Sequence, residues 1–128
     1  PARVKQITGG AMVPVVYDSV GKDTFLKSLD CLSPCGFAVL FGQSSGAVEP
    51  LNLGLLAQKG SLYVTRPTLF TYAAKRENLV AMAKELFDVV ASGAVKITVN
   101  QTYPLKDAAR AQADLAGRKT TGSTVLTV

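Results

Sequence analysis

Three short stretches carry side chains suited to binding a polar ligand. They are Tyr17-Asp18-Ser19-Val20-Gly21, Phe41-Gly42-Gln43-Ser44-Ser45-Gly46 and Arg66-Pro67-Thr68-Leu69. Each follows an apolar run that reads as a buried strand, and in open α/β sheets ligands bind just beyond the carboxyl ends of parallel strands. If those strands are adjacent and parallel, the stretches share one rim, offering backbone amides, the hydroxyls of Ser19, Ser44, Ser45 and Thr68, and one cation. Such a set suits hydrogen bonding to a polar ligand better than acid–base work. It is equally what ordinary polar turns after buried strands would look like. A further cation, Arg118 in "LAGRKTTG", has two readings. It either complements the negative end of a helix dipole or offers its guanidinium fork to an anion such as pyrophosphate.

Other chemistries lack their residues. The chain has no histidine, hence no Ser-His triad and no histidine base. Gly42 to Gly46 keeps only half of a G-x-S-x-G nucleophile elbow, because Ser45 adjoins the final glycine. Neither G-x-G-x-x-G nor a phosphate loop of the G-x-x-x-x-G-K-[ST] type occurs. Cys31 and Cys35 are spaced C-x3-C, but zinc takes about four nitrogen or sulfur ligands, so two reduced thiols near a helix end are expected and no metal site. Two cysteines also make no disulfide framework, which points to a cytoplasmic setting.

The elements that must hold these residues follow from pattern. With 128 residues, 48% of them apolar, the chain can bury one globular core. "PARVKQITGG" resembles the last turns of a helix with its glycine cap. "MVPVVYDSVG" supplies a first strand, and "KDTFLKSLDCLSP" a helix with Asp23 as N-cap, Phe25, Leu29 and Leu32 on one face, and Pro34 at its exit. "GFAVLFG" is apolar throughout, as a strand buried on both faces should be. A loop with a short helical piece around Leu53 to Gln58 leads to a third strand, "SLYVTRP". "AAKRENLVAMAKELFDVVASG" has the clearest helical periodicity, with Leu79, Met82, Ala83, Leu86, Phe87 and Val90 recurring and Gly93 closing it. Strand–helix alternation of this kind builds a parallel sheet. After Gly93 come a half-exposed strand, "VKITVNQTYP", an alanine-rich helix, "LKDAARAQADLAG", and a last strand, "GSTVLTV".

The net charge of +5 is scattered, with no basic run and no interleaved aromatics, so a dinucleotide suits it better than a nucleic-acid groove. No apolar run approaches the roughly 18 residues of a membrane span, and the N-terminal residues lack the apolar core of a signal peptide.

Taken in order and with their gaps, "VVYDSVG", "SLDCLSPCGFAVLFGQSSG", "KGSLYVTRPTL", "PLKDAARAQADLAGRKTTG" and "STVLTV" resemble the C-terminal part of the NADPH-dependent quinone oxidoreductases. These form the zeta-crystallin-like branch of the medium-chain dehydrogenase/reductase superfamily. The resemblance covers essentially the whole chain. It implies an α/β fold: residues 1–93 as the second half of a Rossmann-type nucleotide-binding domain, with a parallel sheet and flanking helices. Residues 94–128 would be a strand–helix–strand from a GroES-like catalytic domain. The glycine-rich phosphate loop and the first part of that domain would then lie upstream of Pro1.

The resemblance also implies roles. Ser19 and Val20 line the adenosine side of the NADPH crevice. Phe41, Gly42, Gln43 and Ser44 approach the ribose and nicotinamide, mainly through backbone groups, with asparagine in some relatives where Gln43 stands. Pro67, Thr68 and Leu69 help hold the carboxamide, and Arg118 reaches the pyrophosphate. The Ser61–Pro67 strand is the edge through which homodimers pair. The reaction implied is reduction of a quinone or another enone-like acceptor by NADPH, without a catalytic metal and without a catalytic side chain from this chain, which alone would be inactive. The alternatives are a dimerisation or binding module without catalysis, and a nucleic-acid-binding role.

Overall fold

A computed structural model describes residues 1–128. The chain forms two compact units, Pro1–Ala74 and Lys75–Val128. Both are α/β: the first is built on a parallel sheet, as the strand–helix alternation predicts, and the second on a parallel strand pair.

The first unit opens with α1 (Ala2–Ile7), closed by Gly10 N–H donating to the Lys5 carbonyl at 2.8 Å. It continues through β1 (Val13–Asp18), α2 (Phe25–Leu29), β2 (Leu32–Leu40), α3 (Gly54–Gln58), β3 (Tyr63–Thr65) and α4 (Leu69–Tyr72). The strands lie in the order β1-β2-β3, all parallel. Val16, Ala38 and Val64 stand side by side on one face of the sheet. α2 contributes Phe25 and Leu29 to a core with Leu32, Ala38 and Leu62, and α3 adds Leu55 and Leu56 at its margin. On the other face Val15, Phe37 and Tyr63 form one row, and Tyr17 lies beyond it. All four are exposed, so β2 is covered on one face rather than both, and the Phe37 and Tyr63 rings stack at 4.6 Å.

Local expectations fail where tertiary contacts decide. The helix expected to run to Pro34 stops at Leu29, because the Val13 N–H donates to the Cys31 carbonyl and draws Leu32 into the sheet opposite Val13. Pro34 and Cys35 therefore lie inside β2, where the register shifts; Cys35 takes a φ of +58° and its N–H reaches the Gly60 carbonyl. Asp23 is not the N-cap. Thr24 holds that place, and Asp23 donates its N–H to Ser45 Oγ. The third strand is shorter than Ser61–Pro67, with only Tyr63–Thr65 in the ladder.

The second unit holds α5 (Arg76–Ala91), β4 (Val99–Pro104), α6 (Ala108–Ala116) and β5 (Ser123–Thr127), with β4 and β5 paired in parallel across α6. Gly93 closes α5 with a φ of +76°. Leu79, Val80, Ala83 and Phe87 line a shallow apolar groove on α5. No helix is long and apolar enough to cross a membrane.

Candidate functional site

The site is built by the sheet register. Asp18 pairs with Leu40 and Val39 with Thr65, so the carboxyl ends of β1, β2 and β3 open on one rim. Ser19 and Val20 leave β1 there, Phe41 to Ser44 leave β2, and Pro67 to Leu69 lead from β3 into α4. Nine of the ten residues expected to bind thus belong to the three rim segments of the first unit. Arg118 belongs to the second.

Two glycines let the first two segments meet. Gly21 is in the left-handed region at φ +88°, and a Cβ there would lie 2.7 Å from the Gly46 carbonyl oxygen. A Cβ on Gly42 would lie 2.4 Å from the Ser19 carbonyl oxygen. Only bare backbone fits at either crossing. The segments are then laced together. Phe41 N–H donates to the Asp18 carbonyl at 2.9 Å, Ser44 N–H to Ser19 at 3.2 Å and Ser45 N–H to Val20 at 2.9 Å. Ser45 Oγ also donates to the Val20 carbonyl at 2.7 Å. The N–H groups of Phe41 and Ser44 are therefore engaged within the protein. Exposed on the rim are Ser19, Phe41, Gln43 and Ser44, with a Gln43 N–H that has no protein partner. At the third segment Thr68 is the N-cap residue of α4, its hydroxyl 2.9 Å from that of Thr71.

Beneath the rim sits a residue whose role the sequence did not reveal. Asp18 is 5% exposed. Its Oδ1 accepts the N–H of Val20 at 2.8 Å and of Gly21 at 3.0 Å. Ser28 Oγ donates to Oδ2 at 2.7 Å, and the Thr24 hydroxyl lies within 2.9 Å of both oxygens. Burial pushes the Asp18 carboxyl up, but the Ser28 hydroxyl, the Gly21 N–H, Thr24 and the Val20 N–H together outweigh it and hold the group below the ordinary aspartate value. Asp18, Val20, Thr24 and Ser28, with Tyr17 and Ser19, line a cavity of about 190 Å³. That is less than the roughly 300–1,000 Å³ of ligand pockets in general, so it can take only part of a dinucleotide.

The depressed value has a consequence in acid. A carboxyl whose folded pKa lies below its unfolded one adds stability that is complete above the unfolded value of about 3.9 and is lost as pH falls through the folded value. Unfolding free energy measured by urea from pH 6 to pH 2.5 should fall more steeply for the native chain than for Asp18→Asn, with the difference confined to the region below about pH 4.5. Parallel slopes would contradict this assignment.

Arg118 follows the C-cap residue Gly117 of α6, in the left-handed region at φ +56°. The turn is held on both sides. Asp114 accepts the Tyr103 hydroxyl at 3.1 Å and the Lys119 ammonium at 3.3 Å, while Gln101 Nε2 donates to the Thr121 carbonyl at 2.7 Å. The bond to Asp114 holds the Tyr103 phenol above its usual pKa, and the same bond, aided by Lys119, holds Asp114 below its own. Arg118 itself forms no ion pair within the unit, although Arg110 pairs with Asp107 and lies over the Tyr103 ring. It is thus a free cation on a fixed turn.

Comparison with known proteins supplies the family and the fold. A sequence model described as zinc-binding dehydrogenase matches residues 1–126, and the chain belongs to that family. It is 58% identical over 97% of its length to a quinone oxidoreductase of Pseudomonas aeruginosa, covering 38% of that protein. It superposes with a TM-score of 0.90 on the quinone oxidoreductase of Escherichia coli solved in complex with NADPH, at 56% identity, covering 99% of this chain and 40% of that one. A 2-haloacrylate reductase of a Burkholderia species is 46% identical over 96% of this chain, which covers 37% of it. The chain thus spans little more than a third of the length of the curated relatives it matches. The resemblance to quinone oxidoreductases and the α/β fold read from the sequence both hold.

The family's description raises zinc. A zinc site needs three or four nitrogen, sulfur or carboxylate donors converging. Here histidine is absent and no three Cys, Asp or Glu side chains come together, so these residues do not fit a zinc ion.

Proposed function

We propose that this chain supplies part of the NADPH site of a quinone oxidoreductase acting on quinones or related enone-like acceptors. The observation that carries the reading is the rim itself, where three parallel strand ends with exposed Ser19, Gln43, Ser44 and Thr68 converge. The NADPH complex of the Escherichia coli relative supports it. When bound, NADPH supplies the hydride for reduction.

The roles follow the segments. Ser19 and Val20 take the adenosine side, Phe41 to Ser44 the ribose and nicotinamide, and Pro67, Thr68 and Leu69 the carboxamide. With Phe41 and Ser44 N–H turned inward, the Gln43 N–H and the side chains do more of this work than backbone alone. Arg118, lacking an acidic partner, takes the pyrophosphate. Residues 1–93 belong to the nucleotide-binding domain and 94–128 to the GroES-like catalytic domain. On this reading α5 is part of the former, although by compactness it falls in the second unit. The two free cysteines fit a cytoplasmic setting.

On this reading the residues that orient the acceptor belong to the part of the GroES-like domain outside residues 94–128, so the chain alone should not turn over. With NADPH and a benzoquinone or naphthoquinone, absorbance at 340 nm is expected to decay no faster than without protein. Reproducible protein-dependent decay would overturn that part of the proposal.

The β3 edge carries a second element, a homodimer. Tyr63, Val64 and Thr65 are exposed, and β3 is the last strand of its sheet, so its outer backbone groups are free to pair with a second copy. Light scattering at a few hundred micromolar should give twice the chain mass, and Val64→Pro, which removes a donor from that edge, should return the monomer. A native chain that stays monomeric would contradict it.

A further inference from the structure

We propose that Asp18 is a positioning residue, whose carboxylate clamps the β1 exit so that the first two segments of the nucleotide-facing rim are hung from one buried anion. The inference rests on reading that rim as a cofactor site, but its geometry stands apart from which cofactor binds.

Four donors converge on this one side chain: two backbone N–H groups from the rim and two hydroxyls from the α2 side. A carboxylate is acceptor-only, with about four lone-pair sites, whereas an amide accepts on one atom alone. No Lys or Arg pairs with Asp18, and a buried carboxylate without a cation is costly unless fully hydrogen-bonded. Its place in a small core therefore points to what it holds.

What it holds is the orientation of two peptide groups. With the Val20 and Gly21 N–H groups turned in toward Oδ1, the carbonyls of the same two peptide groups, those of Ser19 and Val20, face the opposite way. Ser19 accepts the N–H of Ser44, and Val20 accepts both the N–H and the hydroxyl of Ser45. The second rim segment is thus built on acceptors that the Asp18 side chain aims. Loss of the clamp should free residues 19–21 and 43–46 together while leaving the sheet paired.

Amide exchange of the full chain, read by NMR, tests this. Ser28→Ala removes the 2.7 Å donor to Oδ2 from the α2 side and touches no rim backbone, so it should fold. Asp18→Asn is the stronger variant. Protection of the Val20, Gly21, Ser44 and Ser45 amides is expected to drop about threefold in Ser28→Ala and on the order of tenfold in Asp18→Asn, a tenfold change being one lost hydrogen bond of ordinary strength. The Ala38 and Val39 amides of β2 should change less than twofold. Unchanged rim protection, or an equal fall at every amide of the first unit, would overturn the inference, the second outcome meaning that Asp18 only stabilises the fold. Titrating the same samples with NADPH separates the two claims. A native chain indifferent to NADPH, with a rim that loosens locally in the variants, sinks the cofactor reading and leaves the clamp standing. A native chain that responds to NADPH, with variants whose rim stays protected, does the reverse.

Discussion

Gly42→Ala is expected to destabilise the first unit by about 3 kcal/mol or more, a large part of the 5–15 kcal/mol that holds most domains. The added methyl would sit 2.4 Å from the Ser19 carbonyl oxygen, 2.9 Å from Ser19 Cα and 3.0 Å from its carbonyl carbon. Those atoms are backbone, so no flexible side chain can swing aside. Relief requires one rim segment to withdraw from the other, which breaks the bonds from Phe41 to Asp18 and from Ser44 to Ser19. The urea midpoint should fall accordingly, and any residual folded population should have lost rim protection. A loss under about 1 kcal/mol would mean the segments are not in contact as described.

Leu29→Ala should cost about 3 kcal/mol through lost burial and the cavity left behind. Leu29 is 1% exposed and packs with Phe25, Leu32, Ala38 and Leu62 beneath the sheet. It also fixes α2, whose Thr24 and Ser28 hydroxyls serve Asp18, so the rim should loosen with the core. Leu26 on the same helix is 54% exposed and provides the control. Its alanine variant should change stability by less than about 0.5 kcal/mol. Equal effects at the two positions would show that α2 does not face the sheet in this way.

Strand and helix order was legible because each signal was local. "FAVL" is apolar at every position and forms the middle strand of its sheet, while the periodicity from Leu79 to Val90 lies within α5. Gly93 was legible for the same reason, since its left-handed φ is a local requirement. The extent of α2 was not. Phe25, Leu29 and Leu32 satisfy a helical spacing and are all buried, yet Leu32 reaches the core as the first residue of β2. Burial of the same three side chains is compatible with either path, and only the pairing of Val13 with Leu32 decides between them. Asp23 looked like a cap for a similar reason, but α2 starts at Phe25, and the hydroxyl of its N-cap residue Thr24 goes to Asp18 rather than to the helix.

The rim followed from strand order alone, and the roles within it from resemblance. The Asp18 cluster followed from neither. Its hydroxyl partners stand six and ten residues along the chain and meet the carboxylate only once α2 has folded back on β1. The one local hint was a strand-ending aspartate three residues before a glycine, the pattern of a side chain turning back on its own backbone. The turn around Arg118 was hidden likewise, since Tyr103, Asp114 and Lys119 come from separate elements.

The most direct test of the cofactor reading is an NMR titration of the 15N-labelled chain with NADPH. Expected are shifts at the amides of Ser19, Val20, Phe41, Gly42, Gln43, Ser44, Thr68, Leu69 and Arg118. They should saturate with a Kd on the order of 1 mM, about −4 kcal/mol, as befits a partial site. Silence at these amides up to about 10 mM NADPH, or shifts confined to other surfaces, would contradict the reading.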